Sequence, residues 1–277
     1  MNQMKTAVLD SVPRSRRTDF HEFMRREEDK VVSTLGKKER TDFMFTGGAP
    51  LSRRLKLTDG YHNCLSTYYG RVINTFGANI PEIRHGGKVL DWGCSKGYTT
   101  FELANIHEGC SVIGIELRGY MKAFMDHTTQ MVEDDPRYLR RITEPWVRKQ
   151  MDFRKRPAMP EKFVFCDGFK APFRSGTFDA VYCMNNLYFA LNLMPTDTAR
   201  ARFKAVARLI KPGGYLLVSG NNEGGENSVS SFVLRRTENG MRFEHIDGVR
   251  TARERLRGIA LAVAVGAPMD LARPKWG

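Results

Sequence analysis

Residues 88–97 read Lys88-Val89-Leu90-Asp91-Trp92-Gly93-Cys94-Ser95-Lys96-Gly97. A short apolar run ends in a carboxylate, and two glycines four residues apart follow it. Such glycines let the chain turn tightly and let its backbone approach a ligand. The sequence beyond Gly97 predicts a helix to about His107, whose first N–H groups are available to an anion. This is a strand–loop–helix unit, the opening of an α/β fold whose ligands bind at the carboxyl ends of the strands.

The pattern repeats downstream. Cys110 to Leu117 is a second apolar strand, with a helix expected near Arg118. Lys162 to Asp167 and Phe178 to Met184 read as the third and fourth strands. Asp197 to Ile210 is an amphipathic helix with Ala199, Phe203, Val206, Ala207 and Ile210 inward. Lys211-Pro212-Gly213-Gly214 stops it, and Tyr215 to Ser219 is a fifth strand. Apolar strands alternating with helices predict a mostly parallel, doubly wound sheet covered on both faces. The C-terminal region predicts a helix at 228–238 and strands at Met241–Ile246 and Ile259–Val265. A hairpin around Glu238-Asn239-Gly240 is the alternative, because Asn-Gly marks tight turns.

Upstream, the chain is polar and charged. Helices are expected at Asp19–Leu35 and His62–Phe76, separated by the break Gly47-Gly48-Ala49-Pro50. Residues 1–87 therefore read as an N-terminal helical cap or arm, and 88–277 as the ligand-binding domain. Leu117 and Lys162 are 45 residues apart, more than one helix and its loops need, so an insertion is expected at about 132–161.

Composition narrows the function classes. The chain has 277 residues, 41% of them hydrophobic, enough for a sizeable core. A membrane span needs about 20 apolar residues, and the longest clean run, Ile259–Val265, is far shorter. The N-terminal apolar stretch is too short for a signal peptide. Five Cys without a CxxC pair argue against a disulfide framework or structural zinc, and six scattered His lack metal-ligand spacing. No metal is expected, and a reduced, cytoplasmic chain is. The formal net charge of +13 fits an acidic partner or a solvated basic surface. Part of it is concentrated: residues 137–162 hold nine Arg and Lys against Glu144, Asp152 and Glu161, interleaved with Tyr138, Trp146 and Phe153. That composition suits nucleic acid or an anionic ligand, or else an amphipathic surface helix with its aromatics inward.

The ligand of the sheet is a nucleoside. Glu116 ends the second strand 19 residues beyond Gly97, where a carboxylate can accept both ribose hydroxyls. A dinucleotide brings a pyrophosphate, which Asp91 under the loop would repel, and the G-x-G-x-x-G spacing is not met. S-adenosylmethionine has no phosphate and carries a sulfonium and an ammonium. Asp91 favours that positive charge, and loop and helix N–H groups can hold its carboxylate.

These motifs resemble the class I S-adenosylmethionine-dependent methyltransferases, most closely their small-molecule branch. VLDWGCSKG is similar to the family's first motif and VIGIEL to its second strand. FVFCDGFKAPFRSGTFDAVYCMNNLYFAL is similar to its third and fourth strands, and RLIKPGGYLLVSG to the closing helix and fifth strand. The match spans about Lys88–Gly220. Ser95 departs from it, standing where the common pattern has a middle glycine. The resemblance implies a Rossmann-like seven-stranded fold and S-adenosyl-L-methionine as cofactor. It implies cofactor contacts from Asp91, Gly93, Cys94, Ser95, Gly97, Glu116, Leu117, Asp167, Gly168, Phe169 and Asn185.

Asn185 and Tyr188 follow the fourth strand, where the methyl acceptor should lie. They match the first and last positions of the Asn-Pro-Pro-Tyr motif of amino-group methyltransferases, but both prolines are missing. Asn185 is read as lining the site. The implied reaction is in-line displacement at the methyl group, driven mostly by proximity and orientation. No convincing general base for a hydroxyl acceptor is visible, which tilts the expectation towards nitrogen or an acidic oxygen or carbon. Three readings stay open: a small-molecule acceptor, an RNA base or cap acceptor using the basic segment 137–162, and a catalytically inactive binding module.

Overall fold

Val89, Leu90 and Asp91 sit between two parallel neighbours, which is why β1 (Lys88–Trp92) is buried along nearly its whole length. The computed structural model describes residues 22, 23, 26, 27, 29–31, 33, 34, 69–119, 121–143, 147–184, 187, 196–221, 229–238 and 240–247. They fall into two compact units. The first draws on residues 75–94, 103–118 and 158–277 and holds every described strand. The second draws on 1–74, 95–102 and 119–157.

In the strand unit, β1, β2 (Ser111–Glu116), β3 (Lys162–Phe165), β4 (Phe178–Met184) and β5 (Ile210–Asn221) run parallel. β6 (Val229–Thr237) runs antiparallel to β5, and β7 (Gly240–Asp247) antiparallel to β6. The sheet order is β3-β2-β1-β4-β5-β6-β7, the seven-stranded, mostly parallel sheet that the alternating pattern predicts. Side chains alternate across a sheet, so register decides the layers. Ile113, Leu90, Val181, Leu216 and Leu234 line up across five strands on one face. They pack with Phe203 and Val206 of a helix at Thr196–Ala207. Tyr182 lies on the other face, where its hydroxyl is 2.8 Å from His107 Nε2 and Phe76 meets its ring edge-on. Burial holds the His107 imidazole down at about 4, so it stays neutral.

The C-terminal reading needs correcting. Residues 229–237 are strand β6, not a helix, and they pair antiparallel with β7, Thr237 opposite Gly240, as the hairpin alternative expects. Ser231, Phe232, Val233 and Leu234 are all buried. Covered on both faces, the run has no alternation, and a continuous apolar run fits helix and strand equally. β5 also begins earlier than expected. Ile210 pairs with Phe178 and Tyr215 with Ala180, so Lys211–Gly214 form an irregularity within the strand, not a helix stop before it. The expected strand at Ile259–Val265 lies outside the described residues.

The second unit is helical. α1 (Arg71–Phe76) enters it through Asn74, α2 (Tyr98–Ile106) through Glu102, and α3 (Met121–Asp134) and α4 (Tyr138–Arg141) lie wholly in it. The helix predicted over 62–76 does not run through Tyr69 and Gly70. Tyr69 makes a β-bridge with Thr143, and Gly70 adopts φ +94°, with Val147 only 2.8 Å from where a Cβ would stand. The helical spacing still reports burial: Tyr69, Val72 and Phe76 are all inside. Helix α1 has no side-chain cap of its own. Glu102, fully buried on α2, accepts from Val72 N at 3.0 Å and Ile73 N at 2.8 Å. A carboxylate from 29 residues downstream thus satisfies donors that a helix start leaves open. Burial pushes the Glu102 carboxyl up to about 8, against the pull of these N–H groups. The basic insertion is not one amphipathic helix. It comprises α4, a 3-10 turn at Arg148–Gln150 and an extended run to β3. Among the described residues no helix is long and apolar enough to cross a membrane.

Candidate active site at the carboxyl ends of the strands

β1, β2 and β3 are neighbours, and their carboxyl ends carry Asp91, Glu116 and Asp167 in that order. Asp91 is fully buried beside Gly114 of β2 and Tyr182 of β4 in register. The loop after it is tied to β2, since Gly93 N and Cys94 N both donate to Ile115 O at 2.9 Å. Gly93, Ser95 and Gly97 take φ +75°, +50° and +85°. Alternate residues of the loop therefore occupy the left-handed region, and one of them is a serine. Lys96 is 3% exposed, and its ammonium lies 5.0 Å from the centroid of the Phe124 ring. Burial lowers its pKa to about 7. Helix α2 starts at Tyr98, directly after Gly97.

Glu116 is 9% exposed. Its Oε1 accepts from Leu117 N at 2.9 Å and Arg118 N at 3.1 Å, which fixes the carboxylate at the strand end. Leu117 beside it is 69% exposed, the most exposed large apolar side chain of the described residues. A leucine held in solvent beside a fixed carboxylate suits a ligand with an apolar face and hydroxyl donors.

Asp167 caps the 3-10 turn Gly168–Lys170, its Oδ1 accepting from Phe169 N at 2.9 Å. Its Oδ2 is 3.8 Å from Arg202 Nη1, and the same guanidinium lies 5.0 Å from the centroid of the Phe169 ring. Gly168 packs on Trp92: a Cβ there would stand 2.5 Å from the indole, so no other residue fits without displacing it. Trp92 and Phe169 are 5.0 Å apart, ring to ring. The indole Nε1 of Trp92 is buried with no hydrogen-bond partner among the described residues.

Glu116, Leu117, Asp167, Gly168 and Phe169 thus cluster at adjacent strand ends with Asp91, Gly93 and Cys94. Ser95 and Gly97 complete the loop in sequence. Asn185 and Tyr188 lie outside the described residues. Sequence reasoning missed Trp92, Lys96 and Arg202. Trp92 and Lys96 stand inside the loop motif, where their types are signals in hindsight. Arg202 is one of several arginines on a helix, and nothing in its spacing marks it. Cys183 is fully buried on β4, and burial together with Asp91 pushes its thiol far up, so it is inert.

Comparison with known proteins bears on the same residues. Residues 90–218 match the family described as methyltransferase domain. These residues carry a methyltransferase domain, similar to the class I S-adenosylmethionine-dependent methyltransferases that the motifs resemble. Such a domain is an enzyme module, and its cofactor is S-adenosyl-L-methionine. The O-methyltransferase cnsE of Penicillium expansum is 28% identical over 134 residues, which is 48% of this chain and 38% of that protein. The chain therefore spans well under half of that relative's length. Among solved structures, a Haemonchus contortus phosphoethanolamine N-methyltransferase 2 with S-adenosyl-L-methionine is 24% identical. It covers 55% of this chain and 27% of its own, with a TM-score of 0.34. A methyltransferase of Methanococcus maripaludis described as S-adenosyl-L-methionine-dependent is 16% identical, covering 55% and 52%, with a TM-score of 0.33.

Proposed function

We propose that this chain methylates a small-molecule acceptor, with S-adenosyl-L-methionine bound at the ends of β1–β3. The observation that carries the cofactor site is the fixed Glu116 carboxylate beside the exposed Leu117. The donor set fits the group. Glu116 would take the ribose hydroxyls and Asp91 would face the positive end. Asp167, Gly168 and Phe169 would border the base, with Leu117 as its apolar wall. The buried Trp92 Nε1 is a donor with no acceptor among the described residues, and a purine has ring nitrogens to offer. Gly93, Cys94, Ser95 and Gly97 would turn the backbone around the ligand.

The bound cofactor supplies a methyl group already activated on a sulfonium. The chain's own contribution is then orientation, exclusion of water and alignment of the acceptor. Asn185 and Tyr188, following β4, are proposed to line the acceptor, and residues 1–87 are proposed as a separate N-terminal helical cap or arm. The small-molecule reading is supported by the resemblance of the Asp167–Leu191 run to that branch and by the O-methyltransferase relative. The RNA reading competes with it. Incubation with methyl-labelled cofactor, followed by separation of total RNA from the small organic fraction of a cell extract, decides between them. Label is expected in the small organic fraction and absent with Glu116→Ala. Label in RNA would replace the acceptor class; no label in either fraction, with cofactor bound, would favour the inactive binding module.

A further inference from the structure

Residues 140–154 carry charge that the candidate active site does not use. Arg140, Arg148, Lys149, Gln150, Phe153 and Arg154 line a concavity of about 520 Å3, together with Asp152. The acid does not neutralise the whole set. Asp152 accepts from Arg154 Nε at 2.9 Å and Nη2 at 3.0 Å, and this pairing pulls its pKa down to about 2. It is therefore committed to one cation. Arg148 is oriented by backbone, its Nε donating to Thr143 O at 2.8 Å. A carbonyl aims the guanidinium without cancelling its charge. Arg140 and Lys149 are exposed, and their side chains make no hydrogen bond or ion pair among the described residues. The Phe153 ring is half-buried and braced by Tyr69, 6.2 Å away.

A second arginine-rich concavity shows what a merely structural set looks like. At the β6–β7 hairpin, Arg235 donates to Gly213 O, Arg236 to Arg208 O and Arg242 to Glu244. Each of those three guanidiniums is held by the fold, as Arg148 is in the first concavity. Around Phe153 two cations are not, a third is aimed, and a fixed ring stands beside them.

We propose that this concavity binds a phosphate monoester carrying a ring, the phosphate between Arg140 and Lys149 and the ring against Phe153. A monoester has nearly two negative charges near neutral pH, matching the two unspent cations. None of the concavity's lining residues is among those of the candidate active site.

Calorimetry on the full chain tests this with phenyl phosphate, inorganic phosphate and a short oligouridylate. Phenyl phosphate is expected to bind one-to-one and tighter than inorganic phosphate. Arg140→Glu with Lys149→Glu, both exposed positions, should weaken both ligands about tenfold or more. Phe153→Leu should weaken phenyl phosphate about threefold and leave inorganic phosphate unchanged. Thermal melts confirm that the variants fold. Glu116→Ala should leave phosphate binding intact, so failure here and failure of the methyltransferase reading are separate results. The proposal is overturned if phenyl phosphate does not bind or if charge reversal leaves its affinity unchanged. It is equally overturned if the oligouridylate binds about a hundredfold tighter with a steep salt dependence, the mark of a polyanion track.

Discussion

Two glutamates on neighbouring stretches of chain hold backbone N–H groups, and they do opposite jobs. Glu116 is bonded to the two residues that follow it, at a strand end, beside a leucine in solvent. Glu102 is bonded to residues 29 and 30 positions earlier, with no exposure at all. The first arrangement is local and lies at the proposed cofactor site. The second is long-range and ties an incoming helix to the fold. Same side chain and same donors, yet sequence separation and the exposed neighbour set the proposed binding residue apart from the one that ties a helix in.

Substitution should separate the two most sharply. Glu116→Ala removes a carboxylate proposed to accept from two hydroxyls, each such charge-assisted bond contributing about 1.5–3 kcal/mol. Cofactor affinity is expected to fall about a hundredfold or more, with little change in melting temperature. Glu102→Ala leaves the first N–H groups of α1 buried without an acceptor, which costs about 3 kcal/mol. Chemical denaturation should show that loss, while the folded fraction keeps its cofactor affinity. If Glu102→Ala abolished binding without lowering stability, the division between the two glutamates would collapse.

A second, smaller effect sharpens the comparison through pH. The Glu102 carboxyl sits at about 8 when folded against an ordinary 4.5. A raised pKa means that the folded state holds the proton more tightly, so its contribution is complete below about 4.5 and is lost as pH rises to about 8. Lys96 is the mirror case, lowered from 10.5 to about 7. Its contribution is complete above 10.5 and is lost as pH falls to about 7. The stability difference between wild type and Glu102→Gln should therefore decline from pH 4.5 to 8 and then level. The difference between wild type and Lys96→Met should rise from pH 7 to 10.5. Flat difference curves in denaturant titrations would show that neither group titrates as its burial requires.

The same contrast explains how much was legible in the chain. β1 to β4, α2 and the helix at Thr196–Ala207 were readable because each is a local pattern bounded by local stops. Asp91, Glu116 and Asp167 were readable because strand ends of a parallel sheet meet at one edge, so position in the strand suffices. Glu102 was not readable, because it sits within an ordinary helical pattern and its partners come from another segment. Arg202 escaped for the same reason, reaching Asp167 from a helix 35 residues on. β6 was misread because burial on both faces erased the alternation that marks a strand. Sequence patterns report which face of an element is buried; they do not report which distant polar group completes it.

The smallest effect tests the one place where the loop motif itself departs from the pattern it resembles. Ser95 holds φ +50°, between Gly93 and Gly97 at comparable angles. A side chain in the left-handed region crowds its own carbonyl, at about 1–2 kcal/mol. Glycine would relieve that but adds freedom to the unfolded chain, which takes back about half. Ser95→Gly is therefore expected to raise stability by about 0.5 kcal/mol, a shift of a few degrees at most in a melt. Ser95→Val, branched at Cβ and worse in this region, should lower it by more than that. Both signs matter, because a polar contact made by the serine would move glycine and valine in the same direction. If both variants lose stability equally, the serine is kept for a bond and not merely tolerated. If glycine gains while cofactor affinity moves less than about threefold, the loop's shape, and not its third side chain, is what the ligand meets.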